Sequence, residues 1–163
     1  MRWFWVVFLL AAFLRAAPSS AAAPFIVQDE DGRVLLRGRT VWLAPGRAGL
    51  PVEAYERLGL SVQRDLARGT ADIFMRESDY GKGFRAGSRQ VLDYPQPVPR
   101  SYPHRMALQR HGRLYVSARL MHDALPERFS MTVDARTHAI RLRRSPSFAR
   151  MLKAWARETP SAP

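Results

Sequence analysis

HGRLYVSARLMHDALPERFSMTVDARTHAIRL, His111 to Leu142, holds a turn, a strand, a short helix and a strand pair in succession. His111-Gly112 is the turn, because glycine adopts positive φ without a steric penalty. Leu114, Tyr115 and Val116 carry the aromatic and β-branched bias of a strand. Ser117 stands where a helix cap belongs, with a hydroxyl able to accept an N–H of the first turn. Leu120, Met121, Ala124 and Leu125 then recur at helical spacing, and Pro126 forbids continuation. Phe129, Met131 and Val133 alternate with polar neighbours, as do Ile140 and Leu142 beyond the turn from Asp134 to His138.

The upstream half runs in the same order. Val52 to Leu58 reads as a helix entered through Pro51 and left through Gly59. Leu60 and Val62, then Ala71, Ile73 and Met75 beyond Arg68-Gly69, return to strand period. Leu58 aligns with Leu125, Val62 with Met131, Asp65 with Asp134 and Ile73 with Ile140, at separations of 67, 69, 69 and 67 residues. The expectation is an α+β fold, a mostly antiparallel sheet with short helices packed on it, built by internal duplication of a helix-strand-strand unit. The copies span about residues 33–77 and 105–143 of one domain, 24–144. Helix-strand-strand is also a common string, so chance repetition is the competing reading.

Phe25 to Val27 and Val34 to Leu36 read as strands hinged at Asp31-Gly32, and Thr40 to Leu43 as another, ended by Ala44-Pro45-Gly46. Between the copies, Phe84 and Val91-Leu92 flank a turn at Ala86-Gly87-Ser88, and Tyr94 to Pro99 reads as a stiff, extended crossover. Residues 145–163 form a C-terminal amphipathic helix and tail. Ser145-Pro146 starts the helix, and Phe148, Met151, Leu152 and Trp155 make its apolar stripe, with Arg150, Lys153 and Arg157 off it. Such a helix either lies on an anionic membrane surface through residues 147–157 or packs on the domain by the same stripe. Packing is the expectation, because only about three turns are available.

Residues 111–142 also carry a family pattern. Gly112-Arg113, Tyr115-Val116, Arg119, Ala124-Leu125, Asp134 and Ile140-Arg141-Leu142 match the turn, strand, helix and strand-pair motifs of one module. The unit resembles the N-terminal stalk domain of copper amine oxidases, which recurs in exported bacterial envelope proteins. It departs from that pattern at Ser117-Ala118 for Pro-Leu, Pro126 for Gly and Val133 for Trp. The stalk carries neither the catalytic machinery nor the copper of those oxidases, so the resemblance implies a non-catalytic module without a cofactor.

Residues 1–23 have the three parts of a secretory signal: Arg2, an apolar run from Trp3 to Leu14, and small residues from Ser19 to Ala23. The run is short for the roughly 20 residues that span a bilayer, and Arg15 interrupts it. The expected location is extracytoplasmic, periplasmic or secreted, after cleavage at Ala22; an uncleaved anchor is the alternative. There is no cysteine, which excludes a disulfide framework and a lipid-modified cysteine. The formal net charge is +12, with 26 basic residues against 14 acidic. That surplus points to an anionic partner, an envelope polymer or an acidic partner protein, and export makes nucleic acid the least natural one. Only Lys82 and Lys153 are lysine, a skew that biased codon composition also produces.

Reactive groups do not converge in the sequence. The four histidines, His104, His111, His122 and His138, stand at no metal-binding spacing, and no GxSxG or HExxH motif occurs. The binding candidates are therefore Arg113, Arg119, Arg150, Lys153 and Arg157, on a module that is not an enzyme. The alternative is a periplasmic metal-binding protein or small enzyme using His122, His138 and Met121.

Overall fold

The computed structural model of the chain describes residues 22–76 and 78–158. The expected signal, residues 1–23, lies outside them apart from Ala22 and Ala23, and so does the tail beyond Glu158.

The chain opens with a hairpin, β1 (Pro24–Gln28) and β2 (Val34–Arg39), and a second, β3 (Val41–Ala44) and β4 (Arg47–Pro51). Helix α1 (Glu53–Leu58) follows and then the hairpin β5 (Ser61–Asp65) and β6 (Thr70–Phe74). Strands β7 (Gly81–Arg85), β8 (Gln90–Tyr94) and β9 (Val98–Ser101) form a meander. The hairpin β10 (Ala107–Arg110) and β11 (Arg113–Ser117), helix α2 (Ala118–Ala124) and the hairpin β12 (Phe129–Val133) and β13 (Ile140–Arg144) repeat the earlier order. Helix α3 (Pro146–Glu158) ends the described chain. Hairpin, helix, hairpin thus occurs twice, in an α+β fold whose strands pair antiparallel except for β1 with β13.

The two copies meet at β4 and β11, which run antiparallel with Leu50 opposite Val116, both fully buried. Before the helices, equivalent positions lie 66 residues apart: Arg47 matches Arg113, and Gly46 matches Gly112, at φ +68° and +70°. Beyond the helices the offset is 69, with Gly69 matching His138 at φ +65° and +55°. Asp65 and Asp134 open the two corresponding turns, Asp65 Oδ1 accepting from Arg68 N–H and Asp134 Oδ1 from Arg136 and Thr137 N–H. The change of offset falls at the helix ends. Gly59 ends α1 in the left-handed conformation at φ +103°, whereas α2 ends at Leu125 with φ −133° before Pro126.

Several expectations need correction. Val62 lies opposite Ile73, and Met131 opposite Leu142, so Ile73 corresponds to Leu142 and not to Ile140. The first copy begins at β3, not at residue 33, because β2 pairs with β1 in a different sheet. Strand β4 was not expected: Arg-Ala-Gly-Leu-Pro has no β-branched residue, and pairing with both β3 and β11 holds it extended. Tyr94 to Pro99 is no extended crossover, since the chain reverses after Tyr94 and Val98–Ser101 returns beside β8. The Tyr94-Pro95 bond is cis.

Three sheets result, in the orders β12-β13-β1-β2, β10-β11-β4-β3 and β5-β6-β7-β8-β9. One apolar core joins them. Tyr55 of α1 and Phe129 of β12, both fully buried, meet across the copies with ring centroids 6.3 Å apart. Ser117 Oγ accepts from Leu120 N at 3.3 Å, the expected cap of α2. Helix α3 spends its stripe on this core: Phe148 is buried, Leu152 and Trp155 pack against it, and Ser145 Oγ caps the helix on Phe148 N at 3.2 Å. With that face covered, α3 offers solvent its cations and not an apolar surface. Among the described residues no helix is long and apolar enough to cross a membrane.

Candidate anion-binding groove

Two cavities flank the β4–β11 seam, and the duplication relates them. The first, about 600 Å³, is lined by Arg113 of β11, Pro51 at the end of β4, Glu53 at the start of α1, Arg64 of β5, and residues of β2. The second, about 620 Å³, is lined by Arg47 of β4, Ser117 and Arg119 at the start of α2, Val133 of β12, and residues of β3. Arg113 is the counterpart of Arg47, Glu53 of Arg119, and Arg64 of Val133.

The counterparts have opposite chemistry. In the first cavity Arg64 Nη1 lies 3.3 Å from Glu53 Oε1 and 3.5 Å from Glu56 Oε1, so carboxylates oppose the cations there. In the second, an arginine replaces Glu53 and a valine replaces Arg64, and no carboxylate lines the wall. Arg47, Arg105, Arg119 and His138 stand around Trp42, Met131, Val133 and Ile140. The second cavity is thus an apolar floor with a cationic rim.

Local structure fixes that rim. Arg105 Nε donates to the carbonyl of Leu43 at 2.9 Å, across from β3. Arg119 Nε donates to Asp123 Oδ2 at 2.9 Å, one helical turn on. Burial alone would raise the Asp123 carboxyl, but hydrogen bonds from Arg119 and His122 outweigh it and hold the group below its usual range. Arg47 makes no ion pair among the described residues and stands exposed at the foot of the β3–β4 turn. The His138 and Trp42 rings meet in a T-shaped contact, centroids 6.3 Å apart at 81°. Its left-handed backbone closes the β12–β13 turn, where N–H groups of Thr137 and Arg136 and the Thr137 hydroxyl lower the pKa of Asp134.

The five cations picked from the sequence do not share one face. Arg113 lines the first cavity and Arg119 the second. Arg150, Lys153 and Arg157 are exposed on α3, with Lys153 Nζ 3.2 Å from Glu30 Oε1. The alternative metal set is not brought together either. Met121 is fully buried, His122 bonds Asp123 Oδ1 at 3.3 Å and makes a T-shaped contact with Phe129, and His138 makes one with Trp42. Among the described residues, no group of three or more His, Cys, Asp or Glu side chains could hold a metal.

No motif in the sequence marks Trp42, Arg47, Arg105 or Val133 as site residues, and Met131 stands out there only as a conceivable thioether ligand beside the histidines. They come from four separate segments that only sheet pairing brings together. The available signal was the internal alignment, in which Glu53 faces Arg119 and Arg64 faces Val133. No protein-family model, no curated protein and no solved structure matches the chain.

Proposed function

We propose that this chain is an exported, non-catalytic binding module of the stalk type, which engages an anionic envelope polymer or acidic partner protein. The observation that carries the reading is the second groove, where three arginines and a histidine rim an apolar floor and no carboxylate lines the wall. Arg47 and Arg105 make no ion pair among the described residues, while Arg119 is shared with Asp123; cations so placed raise the local concentration of anions and steer their approach. The secretory pattern of residues 1–23 and the stalk-like motifs of residues 111–142 support the location and the lack of catalysis.

The test is retention of the mature chain on immobilised polyglutamate and dextran sulfate over a salt gradient. Retention should fall as the screening length shortens from about 10 Å at 0.1 M salt. Arg47→Glu with Arg105→Glu should weaken it about tenfold, on the scale of two reversed charges at a rim. Arg150→Glu with Arg157→Glu on α3 should change it little. Equal loss in both pairs would mean that net charge binds the polyanion and the groove does not.

A further inference from the structure

We infer that the occupant of the groove is an extended acidic peptide, which pairs as an added strand with the open edge of β12. This rests on the anion-binding reading above and names the partner's chemistry.

Strand β12 is outermost in its sheet, and its outer edge pairs with no strand among the described residues. Met131 and Val133, two residues apart on the pleat, line the groove together with Ile140 of the neighbouring strand. Val133 is 52% exposed, an apolar side chain left in water beside an open edge. Such an edge invites pairing, and proteins ordinarily blunt it with charge or proline. The counterpart edge β5 follows that rule: at the position of Val133 it carries Arg64, bonded to Glu53 and Glu56. The other outer strands are blunted too. Strand β9 contains Pro99, β2 carries Arg37 and Arg39, the Leu43 carbonyl of β3 is taken by Arg105, and on β10 the Ala107 carbonyl accepts from Gly87 N–H at 2.9 Å.

Among the described residues, the β12 edge combines a ladder side that pairs with no strand, an apolar floor and a rim of arginines. An extended peptide answers all three: its backbone meets the ladder, alternate apolar side chains meet the floor, and carboxylates meet Arg47, Arg105 and Arg119. An anionic polysaccharide or polyphosphate has neither a row of backbone amides nor apolar side chains, and can answer only the rim.

The experiment compares three probes by calorimetry with the mature chain: a blocked heptapeptide alternating glutamate and valine, blocked heptaglutamate, and linear polyphosphate. The alternating peptide should bind about tenfold more tightly than heptaglutamate despite its lower charge, the return from covering two partly exposed apolar residues. It should also slow amide exchange within residues 129–133. Val133→Arg, which installs the counterpart residue, should remove that preference while keeping or strengthening heptaglutamate binding. Equal affinity of the two peptides, or unchanged exchange in β12, overturns the inference and leaves the anion-binding reading standing. Failure of every probe to bind at low salt overturns both.

Discussion

Gly59 is the residue on which the docking of α3 turns, and Gly59→Ala tests the packing in quantitative form. Its φ of +103° lies in a region that penalises any Cβ by about 1–2 kcal/mol. A Cβ built there would collide with Leu152 Cδ1 and stand 3.1 Å from Cδ2, so the Leu152 side chain must shift where it packs against the core. Repacking one partly buried leucine adds about 1 kcal/mol. The expected loss is therefore about 2–3 kcal/mol, or roughly 6–12 °C in Tm for a domain of this size. Urea unfolding of wild type, Gly59→Ala, Leu152→Ala and the double variant separates the two parts. If Leu152 opposes the new Cβ, the double variant should lose about 1 kcal/mol less than the two single losses together. Amide exchange of residues 146–158 should rise in Gly59→Ala, since the helix loses its seat. Strict additivity would refute the collision, and a neutral Gly59→Ala would refute the argument for α3 altogether.

Three further outcomes follow from the interior. The Tyr55 hydroxyl is fully buried with no hydrogen-bond partner among the described residues, and burial pushes its pKa far up; Tyr55→Phe should stabilise the fold by about 1 kcal/mol, read as a higher urea midpoint at unchanged slope. Lys82 is buried with Nζ 2.6 Å from Asp93 Oδ1, while Asp93 also meets Arg100 at 3.2 Å; Asp93→Asn, which strands a buried ammonium, should destabilise by about 1–2 kcal/mol more than Lys82→Met. The Glu30 carboxyl is held below its usual pKa by a backbone hydrogen bond, Lys153 and Arg144, which outweigh its burial. A depressed folded-state pKa contributes stability above the unfolded value of about 4.3, and loses it as pH falls through the folded one. Wild type and Glu30→Gln should therefore differ at neutral pH and converge in acid, followed by thermal melts.

Elements marked by local chemistry were legible in the sequence. Ser117 and Pro126 bracket α2, Ser145-Pro146 starts α3, and both sites behave as read. The α+β class and the repeated order followed from those marks and the strand alternation between them. What escaped was set by distant partners. Strand β4 has poor strand residues and is extended because β3 and β11 lie on either side. Proline-rich Tyr94–Pro99 looked stiff and straight, yet the ladder with β8 draws its second half back as a strand. The groove was harder still, for its walls come from positions as far apart as Trp42 and Ile140. Cations chosen by sequence proximity to a motif, such as Arg113 and Arg119, fell on opposite sides of the seam.

The parallel pairing of β1 with β13 sets Phe25 beside Ile140, the first strand and the last in one ladder. An emerging chain holds its opening strand unpartnered on that side until nearly everything else has been delivered. Closure of this sheet is thus a late event with a long loop to gather, and assembly should be slow compared with helical bundles of equal size. Trimming either terminus into β1 or β13 opens the same seam, so fragments that stop short of residue 144 leave the first hairpin its packing on α1 but not its ladder with β13.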